Sequence, residues 1–333
     1  MEYKRKIPEL KPEYLERIQK LLPDKADLKK YLDILKIHPV RSIRCNKLKM
    51  KPAELKSRLK KEYKWEISQP WKDYPEVMII ESELLPGQLG RAREHLLGYY
   101  YIQELASMLP IIAIQPKEGE TILDLCAAPG SKTTQMAAEM QNTGTIIANE
   151  VSMGRLKILA SNLERCGVTN TIITRKDGIA LCKRLVKYNP EMKFDKILVD
   201  APCSGEGTLR SSLKTYVMWN PKTIVSLSRL QKQLFEASFE VLKVGGEIIY
   251  STCTHAPEEN EEIASWALET FKDKIEIQKI KLPINCREGM TEWRNKKYNP
   301  KVKNICRVWP HDSNTEGFFI SKFKKTAEVT KNE

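Results

Sequence analysis

The chain has 333 residues, 41% hydrophobic and 30% charged, which is room for about two domains with an ordinary core and excludes wholesale disorder. No stretch approaches the roughly 18 apolar residues of a membrane helix, and the opening MEYKRKIPEL lacks the apolar region of a signal peptide. Eight cysteines without such a signal point to reduced thiols in a cytoplasm rather than a disulfide framework. No two cysteines stand at CxxC spacing and His38, His95, His255 and His311 are scattered, so no structural zinc site is expected.

The formal net charge of +13 is unevenly spread. Residues 1–100 carry 23 Lys/Arg against 15 Asp/Glu, residues 101–270 carry 18 against 20, and residues 271–333 carry 15 against 8. Basic flanks around a neutral middle suit a protein that grips a polyanion; a generally Lys-rich surface is the simpler alternative.

In chain order, residues 11–37 read as two short helices, with Tyr14, Ile18 and Leu21 on one face and Leu28, Leu32 and Leu35 on another. Arg41–Cys45 reads as a strand, Lys51-Pro52 opens a helix to about Leu59, and Trp65–Ile67 and Val77–Ile80 are strand-like. This is a small α+β module, with Pro86-Gly87 as punctuation. Beyond about residue 105, strands alternate with helices. The strands are Thr121–Leu125, Thr145–Asn149, Thr171–Thr174, Lys196–Val199 and Glu247–Tyr250. The helices are Lys132–Glu139, Ser152–Cys166, Gly178–Tyr188, Pro221–Leu242 and Pro257–Leu268. That alternation predicts an α/β, doubly wound, mostly parallel sheet, which binds ligands beyond the carboxyl ends of its strands. The expected division is 1–95, 96–325 and a tail at 326–333.

The first of these strands runs into Cys126-Ala127-Ala128-Pro129-Gly130-Ser131-Lys132-Thr133. Small residues and a glycine let backbone approach a ligand, and the following helix offers free N–H groups. The ending resembles a phosphate-binding loop but lacks its spacing. Glu150, 26 residues past Asp124, suits ribose hydroxyls, and Asp177 after the third strand suits an exocyclic amine. A lone acid after a strand commonly caps a helix instead. In register on consecutive strands, these features describe a site for a nucleoside-bearing cofactor.

The fourth and fifth strands run into Asp200-Ala201-Pro202-Cys203-Ser204-Gly205-Glu206-Gly207 and Ser251-Thr252-Cys253-Thr254-His255-Ala256-Pro257-Glu258-Glu259-Asn260-Glu261. Free cysteine is a good small core filler, which is the expectation for Cys45, Cys166, Cys182, Cys286 and Cys306. Cys203 and Cys253 differ: both follow a strand end, among polar residues, on the cofactor edge of the sheet.

LDLCAAPGSKTTQMA, DKILVDAPCSGEGTLR and YSTCTHAPEENE resemble the signatures of the Sun/Fmu (NOP/SUN-domain) family of S-adenosylmethionine-dependent RNA cytosine-5 methyltransferases. GYYYIQELASMLP and VWPHDSNTEGFF extend the likeness over residues 90–325, and VRSIRCNKLKMKPAELKSRL resembles the family's small RNA-binding module. The resemblance implies a Rossmann-like catalytic domain behind that module, and a thiolate that adds to cytosine C6 so that C5 can take a methyl group. It assigns the attack to Cys253 and assistance in product release to Cys203. DNA cytosine methyltransferases use the Pro-Cys cysteine, so chemistry read from the residues alone leaves the order open. It further implies that Asp200 holds the N3/N4 edge of cytosine beside the cofactor and that Lys132 contacts the base or its phosphate. Glu150 would take the ribose, Asp177 the adenine amine, and Arg155 an orienting or RNA contact, with Cys126 to Lys132 as the cofactor loop.

Ser131 stands where the family has a second glycine, Glu150 where Asp is common and Thr254 where Ser is usual; none removes a reacting group. There is no room for the extra RNA-binding insertion of some relatives, which argues against their acceptor-end substrates; compactness and the resemblance point to tRNA, at its variable-loop region, as in an archaeal-type tRNA enzyme, with rRNA second. A cytoplasmic monomer is expected. Two rivals stand: an exocyclic-amine methyltransferase, disfavoured because Cys203 sits where an aromatic should stack on the base, and an idle RNA-binding factor. His255 is expected to be a loop or surface residue rather than a base, Glu258–Glu262 to line a helix start, and Tyr99–Tyr101 to pack rather than stack on a base.

Overall fold

The computed structural model describes residues 7–328; the first six residues of the opening segment and the end of the expected tail, from 329 on, lie outside it. Four strands, β1 (Arg41–Cys45), β2 (Ile67–Ser68), β3 (Val77–Ile80) and β4 (Tyr100–Ile102), form an antiparallel sheet in the order β2-β3-β1-β4. Its apolar face, with Ile43, Met78 and Tyr100, closes on Leu55 and Leu59 of helix Pro52–Tyr63. The small sheet thus draws its fourth strand from beyond residue 95. The two leading helices, Pro12–Leu21 and Lys25–Ile34, bury Tyr14, Ile18 and Tyr31 in the core of the larger domain instead.

That domain is built on β5 (Thr121–Asp124), β6 (Thr145–Asn149), β7 (Thr171–Thr174), β8 (Phe194–Asp200) and β9 (Leu242–Thr252), in the spatial order β9-β8-β5-β6-β7 with every pairing parallel. The chain winds outward from β5 to β7 and then returns to β8 on the other side. The switch point therefore lies between β5 and β8, where such sheets bind ligands. Strand Phe318–Lys325 pairs antiparallel with β9, and Cys306–Val308 adds outside it, so the doubly wound sheet is mostly, not wholly, parallel.

Two elements escape periodicity. Helix Leu105–Ile114 buries nine of its ten residues; a helix apolar on all sides leaves no amphipathic stripe to read. Strand Phe318–Lys325 likewise lies inside the sheet. The helix expected from Pro257 begins at Glu261, because residues 257–260 form turns that serve the neighbouring loop.

Two cysteine expectations need correction. Cys286 and Cys306 are not free core fillers but are joined in a disulfide, with Cα atoms 5.1 Å apart. The antiparallel pairing of Glu288 with Cys306 brings the two segments together, a contact invisible across a separation of 20 residues. The other six are free.

Several charges are deeply buried and paired. Glu261 is fully buried and bound by Arg307 through Nε and, at 2.5 Å, Nη2; Arg307 also donates to the His255 carbonyl at 3.1 Å. Removing one partner strands the other charge in a low-dielectric interior. Arg307→Ala is expected to lower the unfolding free energy by about 3–5 kcal/mol, and Arg307→Met with Glu261→Gln by less; urea denaturation of the three proteins checks the order.

Candidate active site

The loop after β5 carries Cys126–Gly130 into helix Ser131–Glu139. Its shape comes from neighbouring strand ends: Ala127 N–H donates to Asn149 O at 2.8 Å, and Asn149 Nδ2 binds Leu125 O at 3.2 Å and Lys176 O at 3.0 Å. Asn149, which sequence reading passed over, thus ties the ends of three strands. Gly130 has φ +103°, and an added Cβ would stand 2.9 Å from Leu159 Cδ1, so the turn into the helix needs glycine.

Glu150 is buried just past β6, with Oε1 accepting from Ser152 N–H at 2.8 Å and Oε2 3.3 Å from Arg155 Nη1. Arg155 also donates to the Ala128 carbonyl, so it orients the loop and the acid together. Asp177 is exposed and caps helix Gly178–Tyr188 by accepting from Ala180 N–H at 2.9 Å; the capping role is thereby filled and one carboxylate oxygen remains outside that bond.

Asp124 is a further candidate, legible only as the strand's last position. It is almost fully buried; Thr133 Oγ donates to Oδ2 at 2.7 Å while Oδ1 has no partner. Burial pushes its carboxyl up to about 7, partly countered by Thr133. A buried bare acceptor beside a glycine-bearing loop, with a second buried acid on the next strand, fits the donor-rich amino and ribose groups of S-adenosylmethionine.

The two cysteine loops meet at the ends of β8 and β9, whose register sets Asp200 beside Ser251. Cys203 Sγ and Cys253 Sγ stand 3.1 Å apart, and Cys253 N–H points to Cys203 Sγ at 3.3 Å. The hydrogen bond with Cys253 and then burial push the Cys203 thiol well above its ordinary range. Asp200 Oδ2 accepts from Lys132 Nζ at 2.7 Å and Oδ1 from Ser251 Oγ at 2.8 Å. Lys132 is buried, donates also to Ser107 Oγ at 3.2 Å, and lies 5.4 Å from the centre of the Phe318 ring. Lys132, Asp200, Cys253 and Phe318 line one cavity of about 1100 Å³ between the small sheet and the larger domain, floored also by Arg210 and Glu316. The structure therefore sets Lys132, Asp200 and Cys253 on one cavity with Cys203 against Cys253, whereas Cys203 itself, Cys126–Ser131, Glu150 and Asp177 stand outside that cavity's lining.

His255 lies on a loop, as expected, but is buried rather than at the surface: its ring stacks on Trp309, centres 4.2 Å apart at 7°. Burial holds it neutral, well below its ordinary range. Of the acids after Pro257, Glu261 and Glu262 stand in the first turn of helix Glu261–Phe271 as expected, while Glu258 and Glu259 precede it; Glu259 and Glu261 are fully buried and Glu258 pairs with Arg17 at 2.7 Å. Tyr100 and Tyr101 are packed, the former donating to Leu89 O at 2.6 Å.

A doubly wound, mostly parallel sheet with a glycine-bearing loop at its switch point is the fold of the class I S-adenosylmethionine-dependent methyltransferases. The family pattern described as 16S rRNA methyltransferase RsmB/F matches residues 111–324, and that of the N-terminal domain of RsmF matches residues 10–105. The chain belongs to the RsmB/F family. It is 39% identical to the tRNA (cytosine(49)-C(5))-methyltransferase of Pyrococcus abyssi, over 98% of this chain and 99% of that protein. It is 37% identical to ribosomal RNA small subunit methyltransferase F of Pectobacterium carotovorum, over 96% of this chain but 63% of that protein, so it spans less than two thirds of the bacterial relative. A crystal structure of a methyltransferase homolog from Pyrococcus horikoshii superposes with a TM-score of 0.76 at 33% identity, covering 95% of this chain and 100% of that one.

Because the Asp124 carboxyl titrates near 7 in the fold and near its ordinary value of 3.8 when unfolded, the folded state is favoured fully below that ordinary value, and the favour is lost as pH rises toward 7. Asp124→Asn is therefore expected to melt higher than the parent at pH 8, with the gap closing by pH 4, while binding S-adenosylmethionine more weakly. Thermal melts across pH and calorimetric titration of the cofactor check both halves.

Proposed function

We propose that this protein methylates C5 of a cytosine in tRNA through a covalent adduct at Cys253. The observation that carries the reading is the 3.1 Å approach of two cysteine sulfurs beside the Lys132–Asp200 pair. One thiol is enough for metal-free nucleophilic attack; a second beside it suits a reaction that must also undo its own covalent bond.

Cytosine C5 is a feeble nucleophile until electrons are pushed into the ring. The Cys253 thiolate attacks C6; the S–C6 bond forms as the C5=C6 pair moves onto C5. S-adenosylmethionine, when bound, supplies an electrophilic methyl group. Once C5 has been methylated, its proton leaves to a base, the C5–H electrons restore C5=C6, and the C6–S bond breaks to return thiolate. We assign that assistance to Cys203. The first cause of its raised proton affinity is the hydrogen bond with Cys253, a partner that changes character when the Cys253 sulfur becomes a thioether. Asp200 takes the N3/N4 edge of the base, held by Lys132 and Ser251. Glu150 takes the ribose, Arg155 orients Glu150 and the loop, and the free oxygen of Asp177 takes the adenine amine.

A stacked cytosine must be extruded before C6 can be reached, and the cavity beneath the small sheet has the volume for a flipped nucleotide. The basic N-terminal part expected over 1–95, whose sheet is completed by β4 and whose leading helices pack on the larger domain, then grips the surrounding RNA, leaving the remainder to residue 325 as the catalytic domain. The near end-to-end match with the Pyrococcus abyssi enzyme favours tRNA over rRNA and makes cytosine 49 the first position to test. Every reacting group comes from one chain, which suits a monomer working where tRNA matures, in the cytoplasm.

Trapping separates the alternatives. Cys203→Ala, incubated with S-adenosylmethionine and tRNA transcript, is expected to yield a denaturation-resistant protein–RNA adduct, and Cys253→Ala none. The reverse pattern would exchange the cysteine roles. Absence of an adduct from both, with no methyl transfer by the parent to tRNA or rRNA, would overturn the catalytic reading.

A further inference from the structure

Glu259 and Asn260 are adjacent and both fully buried, yet their side chains serve different loops. Asn260 stays on its own: Oδ1 accepts from Thr252 Oγ at 2.7 Å and Nδ2 donates to the Thr254 carbonyl at 2.9 Å. The two residues flanking Cys253 are thus held by a single amide. Glu259 crosses to the other loop, where Oε2 accepts from Ser204 N–H at 3.0 Å and from Gln231 Nε2 at 2.8 Å. The same Gln231 amide donates to the Pro202 carbonyl at 2.8 Å. The two residues flanking Cys203 are therefore held by the Glu259–Gln231 pair.

Each thiol consequently has its own bracket. The brackets arise from different elements, since Gln231 lies in helix Pro221–Glu240 and Asn260 just ahead of helix Glu261–Phe271. Burying a carboxylate is costly unless its hydrogen bonds repay the desolvation. For Glu259 that repayment comes through the bonds from Ser204 and Gln231. Charge-assisted acceptance from a backbone N–H is among the stronger hydrogen bonds and fixes direction as well as distance. A loop that must present a sulfur 3.1 Å from another has little slack for the rotation that losing such a bond would allow.

We propose that Asn260 and Glu259 are separate positioning residues for the two thiols, Asn260 setting Cys253 for attack and Glu259, with Gln231, setting Cys203 for release. The assignment rests on the covalent reading above. It predicts opposite phenotypes for neighbouring residues. Glu259→Ala and Gln231→Met should form the protein–RNA adduct with tRNA and S-adenosylmethionine at nearly the parental rate and then release it about tenfold more slowly or worse, the scale of one lost charged hydrogen bond. Asn260→Ala should form adduct slowly and accumulate none. Glu259→Gln should restore release, because its amide oxygen can accept both bonds.

Single-turnover formation and decay of the adduct, followed on denaturing gels, reads all four variants, with cofactor affinity measured on each to certify the fold. Should Glu259→Ala not fold, Gln231→Met carries the same test from another helix. Equal loss of formation and release in Glu259→Ala, Gln231→Met and Asn260→Ala would overturn the division of roles, as would failure of Glu259→Gln to recover release. Cys203→Ala is the control that separates the two layers. If it traps no RNA, the assignment of attack to Cys253 fails and this inference with it; if it traps and neither Glu259→Ala nor Gln231→Met prolongs the adduct, only this inference does.

Discussion

Two sulfurs 3.1 Å apart on loops fifty residues apart in sequence are the constraint around which this end of the molecule is arranged. Parallel pairing of β8 with β9 delivers both loops to one edge, but pairing alone leaves them free to splay. They are buttoned together: Ser204 Oγ and Thr254 Oγ lie 2.7 Å apart, Gly207 N–H donates to Cys253 O at 2.9 Å, and Gly317 N–H donates to Gly207 O at 2.9 Å. A Cβ on Gly207 would stand 2.2 Å from the Gly317 carbonyl oxygen and 2.9 Å from that of Cys253. Only glycine permits three backbone segments to converge there.

This closeness makes the surrounding interior polar and acidic. Glu206, Glu258, Glu259 and Glu261 lie beneath the thiol loops, and Arg17 and Arg307 answer them from the first helix and from strand Cys306–Val308. The leading helix is therefore not an appendage of the small sheet: its Arg17 reaches Glu258 with two hydrogen bonds of 2.9 and 2.7 Å. Elsewhere burial outweighs any nearby cation, and Asp124, Glu259 and Glu316 are all pushed up to about 7, although Lys132 and Arg210 partly offset it at Asp124 and Glu316.

The small sheet is coupled to the chemistry by one buried guanidinium. Arg44, on β1, donates to Ser131 O at 2.8 Å and Thr134 Oγ at 2.9 Å, and also binds Gln103. Helix Ser131–Glu139 carries Lys132, so movement of the small sheet would be felt directly by the Lys132–Asp200 pair. Burial lowers Arg44 to about 10, still charged at any working pH. Arg210, fully buried, pins Ile37, His38 and Thr315 carbonyls in the same way on the other wall of the cavity.

The sequence by itself determined the alternation of β5 to β9 with their helices, because apolar runs of period two and helical stripes are local properties. It also determined the edge on which Cys126–Lys132, Glu150, Asp200, Cys203 and Cys253 must lie, since in a parallel sheet every strand's end faces the same way. Those signals end at the limits of local patterning. Helix Leu105–Ile114 has no polar face to reveal it, and the Cys286–Cys306 disulfide depends on strand pairing across a loop. Only tertiary structure decided that the sulfurs are in contact, that Asp177 spends one oxygen on a helix cap, that His255 is sealed against Trp309, and that Glu259 and Asn260 turn to different loops. Direction of a side chain within a buried turn is set by the partners packed around it, and those partners come from helices and strands distant in the chain.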